Sequence, residues 1–76
     1  MSASEAIKKR LSDLDITQIE LAIRLDTTRQ NISNKMKRDN FSAQELVQIC
    51  NVLNLKMVLV DENKHEYVIE YLEETK

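Results

Sequence analysis

Between Thr28 and Asn40 the chain reads TRQNISNKMKRDN. Arginine and side-chain amides cluster in its first half, lysine and arginine in its second. On a helix, Ile32 and Met36 lie four apart and define one buried side. Gln30, Asn34 and Lys37 then point outward, with Arg29 and Asn31 near the N-terminal end. Such side chains suit the edges of base pairs. Arginine pairs with both guanine acceptors in the major groove, and glutamine or asparagine pairs with both adenine groups there. Arg29, Gln30 and Asn34 are therefore the candidates for base readout. Thr28, Asn31, Ser33, Lys35, Lys37, Arg38 and Asn40 surround them as candidates for phosphate contact. Gln18, at the start of the preceding helix, joins them because free N–H groups at a helix start favour an anion. The competing reading is a solvated helix whose cations suit its own C-terminal end. Their convergence beside the outward amides favours the phosphate clamp.

The elements that position these residues are announced by their starts. Thr17 is a good cap, Glu20 completes a capping box, and Ile16 and Leu21 are spaced as a hydrophobic staple. The signature recurs with Ser42, Glu45, Phe41 and Leu46. Ser2 or Ser4 starts a first helix carrying Ile7, Leu11 and Leu14 on one face. Thr28 caps a helix running to about Met36 or Arg38. The helix after Ser42 carries Leu46, Ile49, Cys50 and Leu53, and ends near Asn54, since asparagine tolerates left-handed backbone. Beyond Lys56 two β-rich runs flank Glu62-Asn63-Lys64, a hairpin with Asn63 expected at positive φ. A helix from Glu66 onward, with Val68, Tyr71 and Leu72 at helical spacing, competes with the second strand.

The segment from Thr17 to Met36 has a further order. Counting Gln18 as first, the fifth place is Ala22, the ninth Asp26 and the fifteenth Ile32. Two helices crossing steeply through a tight bend need a small residue at the fifth place and an apolar one pressing on it. They also need a ninth residue able to take positive φ. Glycine is usual there, but the chain has none. Aspartate is among the next best, at roughly 1 kcal/mol.

TQIELAIRLDTTRQNISNKM, followed by KRDNFSAQELVQICNVLNLKM, resembles the phage repressor and Cro-like (XRE type) family of bacterial regulators. The resemblance covers roughly residues 7 to 55, with Asp26 at the turn and an acidic tail as its departures. It implies a mainly α, four-to-five-helix, lambda-repressor-like domain with a helix-turn-helix, here followed by a short C-terminal β-hairpin. It also implies base contact through Arg29, Gln30 and Asn34, and a homodimer on double-stranded DNA, usually as a repressor.

Composition bounds the alternatives. The 76 residues carry a formal net charge of −2 and a single cysteine. Residues 1–60 hold a net +2 and residues 61–76 a net −4, so the acidity sits in the tail and leaves a basic face possible. We expect a helix-turn-helix part over 1–56 and a hairpin with acidic tail over 57–76, within one small domain. The latter is a dimerisation or partner element. No apolar run is long enough for a membrane span or a signal segment, and a lone cysteine suits a reducing cytoplasm. Cys50 reads as a buried, inert thiol and the isolated His65 as no metal ligand. Asp13 and Asp15 read as loop and cap residues. No enzyme and no cofactor is expected. Two rival readings are an antitoxin-type regulator that binds a toxin through its C-terminal segment, and an interaction module that has lost DNA binding.

Overall fold

The computed structural model describes residues 1–70. It is a small, mainly helical protein of four helices and a two-stranded antiparallel hairpin in the order α1(Ala3–Leu14), α2(Gln18–Arg24), α3(Arg29–Arg38), α4(Ala43–Val52), β1(Met57–Val60), β2(Glu66–Ile69). The chain divides into two compact units, Met1–Ser42 and Ala43–Lys76. Tyr71, Leu72 and the end of the acidic tail lie outside the described residues. Over Glu66–Ile69 the strand, not the competing helix, is formed.

In the first unit, Ser2 rather than Ser4 starts α1. Its hydroxyl accepts from Glu5 N at 3.1 Å while the Glu5 carboxylate accepts from Ser2 N at 2.9 Å, a complete capping box. Ser4 is instead buried, on the face of α1 that also carries Ile7 and Leu11. Its hydroxyl donates to Met36 O at 2.9 Å, and its N–H, otherwise an orphan of the first turn, donates to Asp39 Oδ1 at 2.9 Å. The start of α1 is thus bonded to the end of α3. The buried stripe lies one turn earlier than Ile7-Leu11-Leu14 suggests, with Leu14 only half-buried. Asp13 is helical, not in a loop.

Seven residues make α2 too short to stand alone, so its cap and its buried face must hold it. Thr17 Oγ1 accepts from Glu20 N at 3.1 Å. The second half of the expected box is missing, because the Glu20 carboxylate turns instead to Arg24 Nε at 3.2 Å. Leu21 and Ala22 are buried, and α2 packs against α3, whose Ile32 and Met36 are buried in turn. Each such large apolar side chain contributes about 1.5–3 kcal/mol on burial.

All four helices end in the same way. The residue after the last turn takes left-handed backbone: Asp15, Asp26, Asp39 and Asn54 at φ 58, 57, 53 and 59°. The following N–H then reaches back to a carbonyl five residues earlier. These bonds are Ile16 N to Leu11 O, Thr27 N to Ala22 O, Asn40 N to Lys35 O and Leu55 N to Cys50 O, at 2.9, 2.9, 3.2 and 2.8 Å. This closes the carbonyls that a helix end leaves unpaired. Asp26 therefore has the positive φ expected of it. Asp39 was not foreseen in this role.

In the second unit, α4 begins directly after Ser42, as expected, and buries Val47 and Ile49, with Leu53 buried just beyond its end. Leu46 and Cys50 are only half-buried, so the inward side is turned toward Val47. Partial burial raises the Cys50 pKa. In the hairpin, Met57, Val58, Leu59 and Val60 pair with Ile69, Val68, Tyr67 and Glu66. The positive-φ residue of its turn is Lys64, at 67°, and not Asn63. Asp61 explains the shift. Its Oδ1 accepts from Asn63 N and His65 N, both at 2.9 Å, and its carbonyl accepts from Lys64 N at 3.0 Å. That closes a β-turn over 61–64 and moves the left-handed corner one residue on, as in three-residue hairpin loops. The hydrogen bonds that His65 and Asn63 give to its carboxylate lower the Asp61 pKa.

Two stability outcomes follow, both read by urea unfolding of the full chain. Asp26→Gly relieves left-handed strain and raises stability by up to roughly 1 kcal/mol, whereas Asp26→Val lowers it. A clear loss with glycine would contradict the bend as described. Ser4→Ala removes the buried hydroxyl bond to Met36 O and costs about 1 kcal/mol; an unchanged midpoint would show that this half of the α1–α3 clamp adds nothing.

Candidate nucleic-acid interface

The bend at Asp26 leads into Thr27 and Thr28, and the two threonines fix the start of α3. Thr28 is the N-cap, its Oγ1 accepting from Asn31 N at 3.1 Å. Asn31 Nδ2 donates to Thr27 Oγ1 at 2.9 Å. Arg29 and Gln30 thereby occupy the first turn of a helix whose entry is pinned by two side chains. The far end is pinned too, by the Ser4 bonds to Met36 and Asp39.

Around α3 the residues divide by burial. Ile32 and Met36 face inward, Ser33 and Lys35 are half-buried, and Arg29, Gln30, Asn31, Asn34, Lys37 and Arg38 are exposed. The helix holds four cations and no carboxylate. Among the described residues, the side chains of Arg29, Gln30, Asn34, Lys37 and Arg38 make no hydrogen bond or ion pair. Their donors and acceptors face solvent and are free for a ligand.

Part of this face is concave. Asn31, Asn34, Lys35, Arg38 and Asn40 line a cleft of about 240 Å³ along one side of α3 and its exit. The cleft joins Asn34, a base-readout candidate, to four residues of the phosphate set. Three amides and two cations make it rich in hydrogen-bond donors. Arg29, Gln30 and Lys37 lie on the helix outside it. Of the remaining candidates, Thr28 is exposed, and its hydroxyl retains its own proton to donate while it caps the helix. Gln18 is half-buried as the first residue of α2, and Asp26 is exposed at the bend.

The grouping of the cleft was not readable from helical spacing alone. It depends on Asn40, which is outside α3 and is folded back when Asp39 turns left-handed and Asn40 N bonds Lys35 O. Elsewhere, His65 is tied to Asp61, ring Nδ1 to Oδ2 at 3.2 Å. Among the described residues no group of His, Cys, Asp and Glu is arranged to hold a metal ion, and no helix is long and apolar enough to cross a membrane.

A family model with the description "Domain of unknown function (DUF6471)" matches residues 1–58. That is about three quarters of the chain, and the chain belongs to this family. The match takes in all four helices and ends inside β1. No curated protein and no solved structure matches the chain.

Because the side chains of Arg29, Gln30 and Asn34 bond nothing among the described residues, Arg29→Ala, Gln30→Ala and Asn34→Ala should each leave stability within about 0.5 kcal/mol of the parent chain. Thermal unfolding followed by circular dichroism checks this, and a larger loss in any of them would give that side chain a structural duty.

Proposed function

We propose that this family member is a sequence-specific DNA-binding regulator of the phage repressor and Cro-like type. In this reading α2 and α3 act as a helix-turn-helix. The observation that carries it is the bend itself. Asp26 takes the left-handed backbone that a steep α2–α3 crossing needs, and the helix that follows presents free amides and cations with no acid among them. Neither half would suffice alone. Many helices end left-handed, and many exposed helices are polar.

In this mechanism α3 enters the major groove by its N-terminal end. Arg29 pairs with guanine O6 and N7, and Gln30 and Asn34 pair with adenine N6 and N7, each good pair giving about 1–3 kcal/mol of discrimination. Lys35, Lys37, Arg38 and Asn40 hold phosphates on the side where the helix leaves the groove. Thr28, Asn31 and Ser33 add neutral donors, and Gln18 with the start of α2 meets the backbone beyond. These contacts set the register but carry no sequence information. One such helix reads only a few base pairs. Two copies related by a two-fold axis, on half-sites about 34–36 Å apart, give a usable operator. Occupying a promoter in this way represses it.

Residues 1–42 carry eight Lys and Arg against six Asp and Glu, a net +2, while 43–76 carry three against seven, a net −4. The charge on the first unit suits a phosphate backbone, and the acidic remainder belongs away from it.

The test is a fluorescence-anisotropy titration with DNA from upstream of the gene and with operators selected from random sequence, at several salt concentrations. The log of the binding constant should fall with log salt by about 0.9 per phosphate neutralised. The double variant Arg29→Ala, Gln30→Ala should lose roughly 10- to 100-fold in discrimination between operator and unrelated duplex while keeping most of the salt slope. No binding to upstream DNA, together with an empty selection, would sink the proposal.

A further inference from the structure

Where the chain leaves α3 it passes through Arg38, Asp39 and Asn40. The outer two line the cleft with Asn31, Asn34 and Lys35, whereas Asp39 between them does not. Asp39 is also the one carboxylate between Thr27 and Ser42. An acid turned into the cleft would repel the phosphate that its neighbours suit. The left-handed backbone of Asp39, at φ 53°, removes that conflict in two ways. It turns the chain so that Asn40 N reaches back to Lys35 O at 3.2 Å, which brings Asn40 to the wall of the cleft. It also delivers the carboxylate to the first turn of α1. There Oδ1 accepts from Ser4 N at 2.9 Å, and the positive end of a 12-residue helix compensates the charge. The Asn40 side chain makes no hydrogen bond among the described residues, so its place at the cleft serves no bond within them.

We propose that Asp39 is a positioning residue for DNA binding: its corner, not its charge, seats Asn40 where the amide donates to one backbone phosphate. The assignment rests on the DNA reading and deepens it, since it names what holds one phosphate contact in place. Aspartate, asparagine and glycine accept such a corner, and a β-branched residue does not.

The contact has a signature of its own. The amide is neutral, so it adds affinity without releasing a counterion, and it meets a phosphate, so it adds none of the discrimination between bases. Lysine and arginine contacts would instead change the salt slope, and Arg29 or Gln30 would change sequence preference.

The test is a double-mutant cycle on the full chain with Asp39→Val and Asn40→Ala, read by fluorescence anisotropy on a selected operator and on an unrelated duplex. Asn40→Ala should weaken both about 10-fold, as for a lost hydrogen bond to a charged group, and leave the salt slope unchanged. Asp39→Val should weaken both by a similar factor. The two together should lose no more than either alone, because the amide is already out of place. Asp39→Gly keeps the corner and drops the carboxylate, and Asp39→Asn keeps the corner and an acceptor for Ser4 N. Each of these should bind within about 3-fold of the parent chain, the range of an exposed charge removed. Circular dichroism melts check that each variant is folded, and Asp39→Ala replaces Asp39→Val in the cycle if the latter is not.

A merely structural Asp39 would give losses that add, and that result overturns the assignment. So does a glycine variant as weak as the valine one, which would make the bond to α1 the positioning element. A large gain with asparagine overturns it too, by showing the carboxylate turned toward the phosphate. If the parent chain binds no duplex, the DNA reading falls and this assignment with it. If it binds operator while the cycle is additive, this assignment falls alone.

Discussion

A helix that stops must turn its chain without leaving its last carbonyls bare, and in this protein it does so four times without a glycine. Asp15, Asp26, Asp39 and Asn54 each accept a left-handed backbone for that purpose. Each corner costs something, since a Cβ sits close to a carbonyl oxygen there. What offsets the cost is the backbone bond that each corner allows and the direction it gives the next element. At Asp26 that direction is the crossing of α3 over α2. At Asp39 it brings Asn40 back toward Lys35 and aims a carboxylate at the first turn of α1. The rest of the first unit depends on these corners, because Leu21, Ala22, Ile32 and Met36 meet only if the chain reverses where it does.

The corner at Asp39 has a double use. Its backbone ends α3 and its side chain caps α1, so one residue serves two helix termini of opposite polarity. Together with the Ser4 hydroxyl it keeps the last turn of α3 from fraying, the turn in which Lys35, Lys37 and Arg38 lie. Thr27 and Thr28 do the same for the first turn. A ligand meeting α3 therefore meets a helix already ordered at both ends, and less entropy is lost on binding than a frayed helix would lose.

Much of this was legible in the sequence, for a physical reason. Caps and staples are local, so Thr17, Thr28 and Ser42 marked helix starts correctly, and the spacing from Gln18 to Asp26 located the bend. Residues that act across the chain were not legible. Ser4 looked like an alternative cap because its partners, Met36 and Asp39, are more than thirty positions away. Glu20 could serve either its own cap or Arg24, and spacing alone does not choose between them. In the hairpin the left-handed residue was placed on Asn63 by propensity, but Asp61 binds two N–H groups and decides the turn before propensity acts. For the candidate site, which residues of α3 face outward was readable from Ile32 and Met36. The cleft was not, since it needs Asn40 folded back from outside the helix.

The separation of duties on α3 has an evolutionary consequence. Its inward residues, its caps and its clamp hold the fold, while Arg29, Gln30 and Asn34 hold nothing in place within the chain. Drift at the outer positions escapes the usual purge of destabilising changes, so descendants of one duplicated gene can diverge there by single steps. Chains that keep Ala22, Asp26, Ile32 and the Ser4–Asp39 pair while differing freely along the outer face of α3 are the lineage such a scaffold should leave behind.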